Sequence, residues 1–111
     1  MDRKDYQAIV DLTSEALGIS SIPIRIKNVG GGRANKNYIT LPKWLDKYDE
    51  QYQIYYTVHE TCHYGFGRNH FSLFKMGEDK ALALWGIKIE RKKAYPKALY
   101  ANGQRIKNIL K

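Results

Sequence analysis

With one cysteine, three histidines and three prolines in 111 residues, the chain has little of the usual covalent and conformational bracing. Cys62 has no second cysteine to pair with, so no internal disulfide can form and the fold must rest on a packed core. No apolar run approaches the ~20 residues that cross a bilayer, which leaves no membrane partner to expect. The opening Met1-Asp2-Arg3-Lys4-Asp5 lacks the apolar stretch of an export signal, so a cytoplasmic location is expected. Linkers rich in Gly, Pro or Ser are missing, as are repeats and low-complexity tracts. The chain therefore reads as one domain spanning 1–111, and its 43% hydrophobic content suffices for one modest core.

Acidic residues are scarce at one end only. Residues 88–111 hold eight Lys/Arg against the single Glu90, whereas residues 1–87 hold 11 Lys/Arg against 10 Asp/Glu, so nearly all of the net +8 belongs to the tail. Such a tail can attract nucleic acid, dock on its own domain or stay solvated. It has neither zinc-knuckle spacing nor interleaved aromatics, which disfavours nucleic acid as its partner. Within it, Leu99, Ile106, Ile109 and Leu110 could fold residues 94–111 back over a cleft or swap them into a neighbour. In that case the segment is regulatory and the protein a homo-oligomer.

The three histidines lie within twelve residues. His59-Glu60-Thr61-Cys62-His63 is an H-E-x-x-H sequence, and His70 follows seven residues later. On a helix, four residues advance the chain about 6 Å and a little over one turn, which sets His59 and His63 on one face where both imidazoles reach one metal ion. Glu60, one position round, is placed to hydrogen-bond a water rather than to ligate. The helix condition is met on paper. Residues 49–64 contain no Gly or Pro, and Ile54, Val58 and Cys62 recur every fourth position as an apolar face. Tyr56, His59, Glu60 and His63 fall opposite. Asp46 or Asp49 can cap its start, and Gly65 and Gly67 end it. Cys62, on the apolar side, reads as packing rather than a nucleophile.

A catalytic zinc site takes three protein ligands and keeps a fourth position for water. His70 is the first candidate for the third, since the Gly65-Phe66-Gly67 turn can swing it back. The metzincin spacing misses by one residue, with Phe66 and Asn69 at its Gly and His positions. In gluzincins the ligand is a Glu on the next helix, and Glu78 is the nearest match, with Glu90 more distant. Residues 69–84 read as that helix, with Phe71, Phe74, Ala81 and Leu82 or Leu84 as its buried stripe. Glu78 beside Asp79 also reads as an ordinary solvated pair.

The run H-E-T-C-H-Y-G-F-G-R-N-H-F, followed by L-A-L-W-G-I and A-Y-P-K-A-L-Y-A-N-G-Q-R, resembles the minigluzincins, very short soluble metallopeptidases of thermophilic archaea. SprT-like small metallopeptidases share the H-E-x-x-H and a later His. The resemblance implies zinc on His59 and His63, a third ligand at His70 or a helix Glu, Glu60 as general base and acid, and latency held by the C-terminal segment.

The scaffold around this helix reads as α+β, a small zincin-like domain. Residues 5–17 carry Ile9, Val10, Leu12, Ala16 and Leu17 at helical spacing, ended by Gly18. Ile22, Ile24 and Ile26 alternate as a strand, Gly30-Gly31-Gly32 turns, and residues 37–41 form a second strand stopped by Pro42. Trp44, Leu45 and Tyr48 lead into the H-E-x-x-H helix as core. A second helix follows, then a C-terminal helical segment. The strand at 37–41 is the candidate edge for holding an extended polypeptide substrate. The chemistry expected is peptide hydrolysis by zinc-activated water, with Glu60 as base and Tyr95 as candidate stabiliser of the oxyanion. The alternative is a non-catalytic zinc module binding nucleic acid or protein. Cys62 would then have to join the histidines, and its place across the helix argues against that.

Overall fold

The structure, a computed structural model, describes residues 1–91, 99–101 and 104–105. Helix α1 spans Arg3–Leu17. Asp2 caps it through a reciprocal box with Asp5: each side chain accepts from the other's backbone N–H at 3.0 Å. Its C-terminus closes with Gly18 N–H donating to Glu15 and Ile19 N–H to Ser14. The buried stripe is Tyr6, Ile9, Val10, Thr13 and Ser14, while Leu12 is half exposed. The helical period thus selects two small polar residues for the core and leaves a leucine outside. Position around the helix outweighs hydrophobicity at that point.

Strands β1 (Ile24–Lys27), β2 (Arg33–Ala34) and β3 (Ile39–Pro42) form a mixed sheet in the order β1-β3-β2. β3 runs parallel to β1, pairing Ile24 with Ile39, and antiparallel to β2, pairing Arg33 with Thr40. All four residues of β3 are buried, as a central strand requires. The segment 37–41 is therefore not an edge, and the edge beside the H-E-x-x-H helix is β2. A short turn separates β2 from β3, built on Asn35, whose side-chain oxygen accepts from the N–H groups of Asn37 and Tyr38 at 2.8 and 3.0 Å. A two-residue strand shows no alternation, so nothing in its composition announces it.

A 3₁₀ helix, Lys43–Lys47, leads into α2 (Glu50–Phe66). Asp49 is the cap, accepting from Tyr52 N–H at 2.9 Å. Gly65 lies inside α2, and the terminator is Gly67 at φ +89°, a conformation that side chains rarely tolerate. α2 is the middle of the molecule, in contact with α1, α3, β2 and β3. Its apolar face (Ile54, Val58, Cys62) is buried. Full burial of a side chain such as Val58 contributes roughly 1.5–3 kcal/mol. The buried polar residues beside it satisfy themselves on the backbone: Thr57 Oγ1 donates to the Gln53 carbonyl and Thr61 Oγ1 to that of Thr57, both at 2.8 Å.

Helix α3 spans Ser72–Ala83. Phe74, Ala81 and Leu82 are buried, but Phe71 is 72% exposed and Leu84 55% exposed, so neither belongs to the stripe. Phe71 precedes the first turn and Leu84 follows the last, where the helical period no longer dictates direction. Beyond α3, β4 (Ile89–Arg91), β5 (Leu99–Ala101) and β6 (Gln104–Arg105) make an antiparallel sheet in that order. The described parts of the C-terminal segment are thus strands, not helix. β5 and β6 pair antiparallel, Tyr100 with Arg105 and Ala101 with Gln104. No helix among the described residues is long and apolar enough to cross a membrane. Among the described residues the architecture is α+β: three α-helices, a small mixed sheet and a second, antiparallel sheet.

Candidate metal centre

α2 carries His59 and His63 one turn apart, and the Gly67 turn returns the chain so that His70 meets them. The three Nε2 atoms form a nearly equilateral triangle: 3.2 Å from His63 to His59, 3.3 Å from His70 to His59 and 3.1 Å from His70 to His63. Phe74, 2% exposed, is the floor beneath them, with its ring centroid 4.8–5.1 Å from all three imidazoles.

The outer nitrogens of two rings are committed. His59 Nδ1 lies 2.6 Å from Glu78 Oε2, with the Tyr55 hydroxyl 3.2 Å away, and His63 Nδ1 lies 2.9 Å from the Gly67 carbonyl oxygen. A carboxylate and a carbonyl only accept, so both rings carry their proton on Nδ1 and turn an Nε2 lone pair inward. Lone pairs converging at such distances repel one another unless a cation lies among them. Zinc–imidazole bonds of about 2.0–2.1 Å in a tetrahedral array separate the nitrogens by roughly 3.3 Å, so the donor set fits that metal. Burial pushes the His63 imidazole below its ordinary pKa, which favours the neutral form that a metal needs.

Glu78 is 2% exposed and sits on the far side of the His59 ring from the triangle. It is neither a member of a solvated pair with Asp79 nor among the three converging donors. A carboxylate behind a ligating histidine fixes its tautomer and raises its basicity. Spacing alone could not assign this role, although Phe74 and Glu78, four apart on α3, lie on the helix face that meets α2.

Glu60, 9% exposed, opens onto a cleft of about 710 Å³ together with His63, Tyr64, Gly67, Arg68 and residues 32–36. Burial raises its carboxyl pKa above the ordinary value, opposed by the nearby His59. The other wall of the cleft is β2. Asn35 N–H donates to the Tyr38 carbonyl, so the ladder alternation turns the N–H and C=O of Ala34 toward the open edge. Gly32, two residues earlier and facing the same way, donates its N–H to the Tyr56 hydroxyl at 2.7 Å and thereby ties the edge to α2. Tyr56 itself stands edge-on to Trp44, with centroids 5.6 Å apart. Cys62 is fully buried on the opposite face. Tyr95, the sequence candidate for oxyanion stabilisation, lies outside the described residues, as do most residues of the 94–111 segment.

No protein-family model matches the chain, and no curated protein matches it. Among solved structures it is similar to the crystal structure of a metallopeptidase zymogen, abylysin of Pyrococcus abyssi. The likeness covers 68% of this chain and 77% of that one, with a TM-score of 0.60 and 21% sequence identity. The likeness shows that the two chains share a common fold.

Proposed function

We propose that this protein is a zinc-dependent endopeptidase of the minimal, minigluzincin-like kind that acts on extended polypeptide. The observation that carries the reading is the triangle of three inward Nε2 atoms beside a buried glutamate, in a cleft whose opposite wall is an open strand edge. His59, His63 and His70 would hold the metal, with Glu78 orienting His59. Zinc bound there supplies Lewis acidity that polarises a carbonyl and lets water ionise near neutral pH.

Everything else falls to the chain. Glu60 removes the proton of the attacking water and returns it to the departing amine, and a carboxyl raised by burial suits a group that must both take and give a proton. Ala34 N–H and C=O bind the substrate main chain as an added strand, which orders the scissile bond without demanding particular side chains. The Gly32–Tyr56 hydrogen bond sets how far that edge stands from Glu60.

A time course on casein tests the reading, with wild type and Glu60→Gln compared at equal, measured zinc content and over a dilution series. Cutting by wild type alone supports it, and failure of zinc-loaded wild type at every dilution sinks it. Specific activity that rises on dilution would add silencing by self-association.

A further inference from the structure

We propose that this cleft selects acidic polypeptide: side chains of Asp or Glu flanking the scissile bond are drawn to a row of cations along the β2 edge. The inference rests on the peptidase reading and names the substrate class of the same site. Its basis is the distribution of charge. Residues 1–87 are nearly balanced, yet no Asp or Glu occurs between Glu15 and Asp46, the stretch that builds the sheet. Four of the five cations of that stretch line the cleft or the cavity that adjoins it. Arg33, Lys36 and Arg68 line the 710 Å³ cavity beside Glu60. Arg25, Lys27 and Arg33 line a second cavity of about 490 Å³, which adjoins the first at Gly32 and Arg33.

Among the described residues that line these two cavities, Glu60 is the one carboxylate, and the peptidase reading assigns it to the proton transfer. Among the described residues, no carboxylate lies within ion-pairing distance of any of the five cations that line them. One of them is held in place rather than waving in solvent. Arg25 lies 3.7 Å above the centre of the Tyr38 ring and donates from Nε to Thr40 Oγ1 at 3.0 Å. Like charges fixed along a groove raise the local concentration of a complementary chain and repel a lysine-rich one. The open N–H and C=O of Ala34 match a peptide main chain. A sugar–phosphate strand offers no such ladder, which favours an acidic polypeptide over nucleic acid.

The test uses three internally quenched peptides alike except at the positions flanking one bond: three Glu, three Lys or three Ser. Wild type should cleave the Glu peptide at least about tenfold faster in kcat/KM than the Lys peptide, given a modest gain per exposed charge. The difference should lie mainly in KM and shrink between about 20 mM and about 500 mM salt. Reversal at Arg33→Glu, Lys36→Glu and Arg68→Glu together should invert the ratio. Reversal at Lys4→Glu, Lys43→Glu and Lys47→Glu, which line neither cavity, should leave it.

If wild type cleaves the Ser peptide but treats Glu and Lys peptides alike, or the cleft reversal leaves the ratio intact, this inference falls and the peptidase reading stands. If no peptide is cut, the peptidase reading falls, and anisotropy of the labelled peptides on the zinc-loaded protein decides the rest. Preferential binding of the Glu peptide, lost on cleft reversal, would keep the selectivity, and equal binding would remove it too. Displacement of the Glu peptide by single-stranded oligothymidylate at lower concentration than by the peptide itself would overturn the assignment in favour of nucleic acid.

Discussion

His59 Nδ1 lies 2.6 Å from Glu78 Oε2, and this contact joins the H-E-x-x-H helix to the next one at the point where a metal would be held. A carboxylate that is 2% exposed, set against one imidazole, orients that ring by accepting from its Nδ1–H and leaves Nε2 as the atom that faces the other two histidines. Glu78 is therefore a positioning residue. Glu78→Ala should weaken zinc binding by about 10–100-fold in a chelator competition. Glu78→Gln, which can still accept from Nδ1–H, should recover part of it. Equal zinc affinity in all three proteins would show that Glu78 does not support the site.

Glu60 makes the opposite demand on the fold. Burial raises its folded pKa above the unfolded value, so the fold favours the protonated carboxyl. Its contribution is thus most favourable below the ordinary carboxyl range and declines as pH climbs through the raised value. Glu60→Gln has the same shape and no charge to desolvate. The metal-free variant should melt above wild type at neutral pH, and the two should converge below about pH 4.5, the ordinary value. Peptide hydrolysis should fall at least about a hundredfold while zinc stays bound. A variant that melts lower at pH 7 would mean that the carboxylate stabilises the fold rather than straining it.

The contrast between these two glutamates shows what could be read from the chain. An H-E-x-x-H in a stretch free of Gly and Pro, with Asp49 before it and Ile54, Val58 and Cys62 along one side, carries the whole of α2 in local terms, and α2 is where those terms place it. Glu78 carries no such signal. Its neighbour Asp79 makes it look solvated, and only the docking of α3 on α2 brings it beneath His59. The same holds for the sheet. Ile39–Pro42 shows its apolar character, but whether it lies at the centre or the edge depends on β2, two residues long and set by the Asn35 turn. In a domain this small, Thr13 and Ser14 can be core while Phe71, Leu73 and Met76 are exposed, so hydrophobicity locates elements better than it locates their inward faces.

Gly32, on the wall of the cleft, is tied to α2 by its hydrogen bond to Tyr56. A Cβ on Gly32 would stand 2.9 Å from Tyr56 Cε1 and 3.0 Å from the Thr40 carbonyl oxygen, and the second of these is backbone that cannot swing away. Gly32→Ala should destabilise the protein by roughly 1–3 kcal/mol in chemical denaturation, a steric effect of overpacking. Tyr56→Phe only removes the acceptor of the Gly32 N–H. It should lower kcat/KM severalfold and stability by about 1 kcal/mol or less. If Tyr56→Phe left kcat/KM untouched, the tie between β2 and α2 would not be what sets the substrate edge.

Ala34 permits a direct test of that edge, because its N–H points away from β3. Proline at an edge position with the donor outward is tolerated, and Arg33 before it is already extended, as a residue preceding proline prefers. Ala34→Pro should therefore keep the fold and the zinc affinity while deleting one main-chain bond to substrate. The loss of one such bond corresponds to about a tenfold fall in kcat/KM. It should fall alike on acidic and neutral peptides, since the main chain carries no sequence information. Ala34→Ser, which keeps the N–H, should behave as wild type. Unchanged kcat/KM in Ala34→Pro would place the substrate on some other wall of the cleft. A collapse of stability would instead mean that the N–H of Ala34 serves the sheet.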